Sequence, residues 1–166
     1  MVVKLVVFDV DGTLTLHTSI WWRLHEHFKT EREGKLFYDQ YFSGQISYNE
    51  WADLDAGLWK GQSLEEVMKL VEATELVPGA AETVASLKER GIYVAILSGG
   101  LDILAENIAR RLGIEYVLSN RLIHRNGVLT GEVEVCVGWG QKVQELKHIS
   151  NHFKVPLSET AYVGDG

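Results

Sequence analysis

The sequence predicts an α/β fold, a parallel sheet with helices on its faces, interrupted after the first strand by an all-helical insertion. Three observations predict it. An unbroken apolar run, 5–8, ends in Asp9-Val-Asp11-Gly12, as a strand buried on both faces does where it meets a turn. From 15 to 77 there is no strand-like alternation and no proline, and the segment holds ten of the sixteen aromatic residues. After Pro78-Gly79, helix and strand patterns alternate to the end, which implies parallel strands joined by right-handed crossovers.

Residues 2–8 read as the first strand. Within the insertion, helices are expected near 19–28, 31–43, 48–59 and 64–74. Ser47 with Glu50, and Ser63 with Glu66, have capping-box spacing, in which serine and glutamate satisfy free N–H groups at a helix start. A helix over 80–90 points Val84 and Leu87 inward and closes at Gly91. A buried strand follows at 92–97, then a helix over 102–112 with Ile103, Ile108 and Leu112 apolar, stopped by Gly113. Residues 116–118 form a short strand. The runs 121–125 and 128–135 flank Asn126-Gly127, a pair that tolerates positive φ and signals a hairpin. A helix over 141–153 carries Val143, Leu146 and Ile149, and 160–163 is the last strand. In such sheets ligands bind beyond the carboxyl ends of the strands. Asp9, Asp11, Ser98 and Asp165 all fall at such ends and converge on one edge.

Composition bounds the function. The 166 residues suffice for one good core and a small second module. A net charge of -7 argues against nucleic acid and anionic membrane as partners. The apolar start is too short for a signal or a membrane span, and Asp9 interrupts it. Cys136 is the single cysteine, so no intrachain disulfide forms and a cytoplasmic location is expected.

Two carboxylates one residue apart at the end of a buried strand are costly without a counter-charge. A hard cation with oxygen ligands relieves that cost, and Mg2+ fits. Three later stretches join them: Ile96-Leu-Ser98-Gly-Gly100, Gly140-Gln-Lys142 and Val163-Gly-Asp165-Gly166. In this order the four stretches resemble the motifs of the haloacid dehalogenase superfamily. Ser98-Gly-Gly, Asn120-Arg-Leu-Ile and Leu129-Thr-Gly-Glu-Val133 look most like its phosphoserine-phosphatase-like branch. The resemblance implies a Rossmann-like core, 1–14 and 78–166, with 15–77 as a helical cap over the active site.

The resemblance also implies roles. Asp9 is the nucleophile, giving an aspartyl-phosphate. Asp11 protonates the leaving alcohol and then takes a proton from water. Thr13 is expected to fix the turn by a side-chain hydrogen bond. Ser98 with the N–H groups of Gly99 and Gly100 cradles phosphate where a strand gives way to a helix. Lys142 aims its ammonium at the phosphoryl oxygens. Asp165 joins Asp9 and the carbonyl of Asp11 in binding Mg2+. The expected reaction is Mg2+-dependent hydrolysis of a small phosphorylated metabolite. The rivals are a dehalogenase of the same fold, which has no use for Asp11, and a non-catalytic phosphate-binding protein. A receiver-type signalling module would carry its aspartate at a later strand.

The histidines lack the pattern of a metal site. His25 and His27 face different ways on a helix, His148 and His152 lack further ligands, and His17 lies near the nucleophile loop. The cap aromatics read as its own small core, and Cys136 as a quiet thiol. Two departures from the family pattern carry expectations. Its phosphoserine phosphatases read the amino acid with a cap glutamate and a cap arginine, where this chain has Thr18 and Asp55, so free phosphoserine is expected to be a poor substrate. Beyond Gly166 the pattern has a second acidic residue, a strand and a helix. The 166-residue form is therefore expected to bind Mg2+ more weakly, turn over more slowly and aggregate more readily than a form carrying that tail.

Overall fold

The computed structural model describes residues 2–165, so Gly166, the last residue of the fourth motif, lies outside the described residues. β1 (Leu5–Phe8) is buried throughout, and begins three residues later than expected. With β2 (Tyr93–Leu101), β3 (Tyr116–Arg125), β4 (Val128–Glu134) and β5 (Thr160–Val163) it forms one sheet in the order β4-β3-β2-β1-β5. All neighbours are parallel except β3 and β4. That pair is the hairpin Asn126-Gly127 announced, and both residues have positive φ, 51° and 76°. β3 runs unbroken where two segments were expected, because pairing with β4 continues the strand beyond its parallel partner.

β2 departs most from expectation. It continues past Leu97 to Leu101, so Ser98, Gly99 and Gly100 are strand residues. The register with β3 runs Leu97 to Leu118 and then Leu101 to Asn120, so residues 98–100 bulge from the ladder. α6 (Asp102–Leu112) opens only after the bulge. α6 opens at Asp102 as expected, but Ser98, Gly99 and Gly100 lie within the strand rather than where it gives way to the helix.

The insertion folds as α1 (Ile20–Phe28), α2 (Glu31–Phe42), α3 (Tyr48–Leu58) and α4 (Leu64–Glu72). Ser47 and Glu50 complete their capping box. Ser63 instead caps the N–H of Glu65, and Glu66 turns to Lys69 and His27. The two chains entering and leaving the insertion are stitched together: Leu16 N–H donates to Glu75 O at 3.1 Å, and Val77 N–H to Leu14 O at 2.9 Å. The α3–α4 connection is strapped to the hairpin, with Gly61 N–H on Leu129 O, Leu129 N–H on Gln62 O and Leu64 N–H on Gly127 O.

α5 (Ala80–Glu89) and α6 cover one face of the sheet, and α7 (Lys142–Phe153) covers the other. The first face shares one apolar cluster with the insertion: Phe8, Ile96 and Ile108 are continuous with Ile20, Leu24, Trp59, Val67 and Val71. The second is smaller, built from Leu5, Val7, Ala95, Leu97 and Ile149. Val143, expected on the apolar side of α7, is 68% exposed, because α7 meets the sheet only from Leu146 onward. Among the described residues no helix is long and apolar enough to cross a membrane.

A core shared between insertion and sheet should unfold as one unit. Four of the five tryptophans, Trp21, Trp22, Trp51 and Trp59, lie in the insertion, so with Trp139 replaced by Phe the fluorescence reports on it, and far-ultraviolet circular dichroism reports on the whole chain. Their denaturant midpoints are expected to coincide. An earlier fluorescence transition would show that the helices melt alone.

Candidate active site

The site grows from the end of β1. Asp9 N–H donates to Val163 O at 2.9 Å, so the sheet still pairs at this residue and fixes its backbone. Its carboxylate is nearly buried, and both oxygens are held. Val10 N–H donates to Oδ1 at 2.7 Å, and the Lys142 ammonium to Oδ2 at 2.7 Å. Lys142 is the first residue of α7 and also donates to Tyr162 Oη at 2.9 Å. Burial acts to lower the Lys142 pKa, but the hydrogen bonds to Asp9 and Tyr162 outweigh it and leave it raised.

Beyond Asp9 the chain turns back through backbone bonds. The N–H groups of Thr13, Leu14 and Thr15 converge on Val10 O, and Gly12 N–H donates to His17 O at 2.7 Å. The side-chain bond expected of Thr13 is not made. Its Oγ1 is buried without a partner among the described residues, because backbone carbonyl groups already close the turn. The turn presents Asp11 to the start of α1, where Ile20 N–H donates to Asp11 Oδ1 at 3.1 Å. Burial raises the Asp11 pKa to about 7, and the charge of Asp9 adds to it. The Ile20 N–H and Arg23 oppose the shift, while Asp165 contributes in the same direction as Asp9.

Glycine makes this crowding possible at two places. A Cβ at Gly100 would lie 2.5 Å from Asp11 Oδ2 and 3.1 Å from Ser98 Oγ. A Cβ at Gly12, φ 72°, would lie 2.3 Å from Asp165 Oδ2. Asp9, Asp11, Ser98 and Asp165 are thus gathered at one sheet edge, as expected.

The bulge is pinned from both sides. Ser98 is buried, and its Oγ accepts from Gly100 N–H at 3.0 Å. Gly99 O accepts from Trp21 Nε1 of α1 at 3.2 Å and from Asn120 Nδ2 at 3.1 Å. Asn120 is fully satisfied, donating also to Val137 O and accepting from the N–H groups of Cys136 and Val137 at 2.8 Å each. Sequence reasoning used Asn120 only as part of a resembling motif and missed Tyr162 and Trp21. Only the polar tip on each of these last two side chains marks it in the sequence.

Other expectations resolve within the cap. His25 and His27 do face different ways. His25 is buried with Nδ1 2.8 Å from Thr30 Oγ1 and Nε2 3.1 Å from Asp55 Oδ1, and His27 sits 3.3 Å from Glu66. Burial raises the Asp55 pKa, with His25 opposing. Thr18 is exposed. His17 lines an open cavity of about 360 Å³ with Arg23, Glu26, His27 and Leu70.

Among the described residues, no three His, Cys, Asp or Glu side chains are grouped to hold a metal. The set expected for Mg2+ needs only two such side chains, Asp9 and Asp165, with the Asp11 carbonyl. The repulsion that Asp9 and Asp165 exert on Asp11 is what a divalent cation relieves, so the donors present fit that ion.

A family model for haloacid dehalogenase-like hydrolases matches residues 6–166, and the chain belongs to that family. A phosphoserine phosphatase of Methanocaldococcus jannaschii is 34% identical over 164 residues, 98% of this chain and 77% of that protein. One from Archaeoglobus fulgidus is 29% identical, and the chain spans 47% of its length. A solved structure described as a phospho-aspartyl intermediate analogue of phosphoserine phosphatase superposes with a TM-score of 0.83 at 33% identity. It covers 100% of this chain and 79% of its own. Within the family, the chain lies on the phosphoserine-phosphatase-like branch.

Gly12→Ala tests the crowding. An L residue in left-handed backbone costs about 1–2 kcal/mol. Gly44 has φ 78° but, among the described residues, nothing within 4 Å of an added Cβ, so Gly44→Ala isolates that strain. In urea unfolding, Gly12→Ala is expected to lose more stability than Gly44→Ala, the difference being the collision with Asp165.

Proposed function

We propose that the chain is a phosphatase hydrolysing the phosphomonoester of a small cytoplasmic metabolite through an aspartyl-phosphate on Asp9. One observation carries the reading. A carboxylate bridged by an ammonium stands two residues from a second carboxyl group whose pKa is about 7. The first suits attack on phosphorus, and the second holds a transferable proton near neutral pH.

Asp9 attacks phosphorus as the bond to the leaving oxygen breaks, and Asp11 gives that oxygen its proton. Water then attacks the same phosphorus, its proton returning to Asp11 as the bond to Asp9 breaks. Lys142 neutralises charge on the phosphoryl oxygens, and the Ser98 hydroxyl donates to them. Asp9, Asp165 and the Asp11 carbonyl would hold Mg2+, which supplies charge neutralisation for the phosphate. A dehalogenase would leave Asp11 without a task.

Phosphate release from p-nitrophenyl phosphate, with Mg2+ and with a chelator, is the test. Release is expected to need the metal. Asp9→Asn is expected to lose at least about 10³ in turnover while unfolding like the parent; near-parental turnover would falsify the assignment.

The relatives named above are phosphoserine phosphatases, yet free phosphoserine is expected to be poor here. Asp55 is buried against His25, and the cap from 15 to 77 has six Lys and Arg against eleven Asp and Glu. A site without matching charge discriminates by about 100-fold or more. In a panel of phosphorylated metabolites, a kcat/KM for phosphoserine above all others would overturn this reading of the cap.

A further inference from the structure

Lys142 reaches the site on a flexible four-carbon stem from the first turn of α7, and its ammonium is a point charge with three donors. Asp9 Oδ2 takes one at 2.7 Å and Tyr162 Oη a second at 2.9 Å, and among the described residues the third is left for an incoming anion. Tyr162 stands on β5 opposite Val7 of β1, so its backbone is fixed by the strand that carries Asp9. Its ring lies 5.6 Å from the ammonium. Its hydroxyl has room because residue 164 is glycine: a Cβ there would stand 2.6 Å from Oη.

The two partners of the ammonium differ in one respect that matters for the chemistry. Asp9 is an anion before attack, and its charge is consumed when its oxygen bonds to phosphorus. The Tyr162 oxygen is a neutral acceptor and is the same before attack, in the covalent intermediate and after hydrolysis. An ammonium held by Asp9 alone would lose its anchor in mid-reaction, when the transferred group most needs it.

We infer that Tyr162 is a positioning residue for the phosphate chemistry proposed above, its hydroxyl holding the Lys142 ammonium beside Asp9 through both half-reactions. The inference rests on that reading of the site. It assigns Tyr162 no contact with substrate.

The test is a double-mutant cycle of Tyr162→Phe and Lys142→Met. Phenylalanine keeps the ring and removes only Oη. Tyr162→Phe is expected to lower kcat on p-nitrophenyl phosphate by about 10-fold or more, the scale of one hydrogen bond to a charged group, with KM changed far less. Its melting temperature should stay near the parent's. In the Lys142→Met background the same substitution should have almost no further effect, because the hydroxyl then has nothing to hold. Orthovanadate binding, measured by calorimetry on the same four proteins, gives a readout independent of turnover. There too, Tyr162→Phe should weaken binding only where Lys142 is present.

An equal effect in both backgrounds, or none in either, overturns the inference and leaves the phosphatase reading standing. Phosphate release that is absent, or indifferent to Asp9→Asn, overturns the phosphatase reading instead. The vanadate cycle then decides whether Tyr162 seats Lys142 at an anion site.

Discussion

The ion pair between Asp9 and Lys142 is the constraint around which the site is arranged. Asp9 terminates a strand buried on both faces, and its partner comes from the start of a helix 133 residues later. The pair is a poor source of stability. Opposite charges about 4 Å apart attract by about 4 kcal/mol at an effective dielectric near 20, and desolvating each ion costs several kcal/mol in return. A buried apolar pair would fold at least as well. What the pair does is fix the entry of α7 over the carboxyl end of β1, with one ammonium donor left free among the described residues. The smaller apolar cluster beneath α7, Leu5, Val7, Leu97 and Ile149, supplies the stability that the pair does not.

Carboxylates repel, and a fold that gathers three of them must hold them by other means. Here the holding is done by backbone. Val10 N–H fixes Asp9, the first N–H of α1 fixes Asp11, and Gly12 and Gly100 let two chain segments approach where a methyl group would collide. The cost appears in the Asp11 pKa of about 7. That same cost leaves a carboxyl group able to give and take a proton near neutrality. The bulge at 98–100 serves the arrangement too. It turns Ser98 out of the β2–β3 ladder toward the carboxylates, and Asn120, with all four of its bonds made, fastens the bulge to residues 136–137.

Much of this was legible in the sequence, for reasons that differ by element. The four insertion helices, α6 and the hairpin follow from local signals: capping serines, stop glycines and Asn-Gly act within a few residues of themselves. The convergence of Asp9, Asp11, Ser98 and Asp165 follows from parallel topology alone. What stayed hidden depends on partners far along the chain. Apolar periodicity ends β2 at Leu97, and only its neighbour β3 and the Asn120 amide reveal that the strand goes on to Leu101. Thr13 reads as a turn-fixing residue until Val10 O is seen to take the backbone N–H groups that close that turn. Tyr162 looks like one more apolar strand residue, since nothing local marks a hydroxyl aimed at a lysine twenty positions earlier.

The helical insertion is fastened unevenly to the rest of the chain. α1 is docked by Ile20 on Asp11 and by Trp21 on Gly99, and α4 contributes Val67 and Val71 to the shared core. α2 buries only Gly34, which packs on the His25 ring, while Leu36, Tyr38 and Phe42 are exposed. At its far end Phe42 meets Trp139 across to the core, ring centroids 5.8 Å apart, and both rings are half-exposed or more. Motion is drawn from the parts with fewest buried contacts. α1, the helix that touches Asp11, is therefore among those fixed to the shared core, whereas Phe42 and Trp139 join insertion and sheet domain through exposed rings.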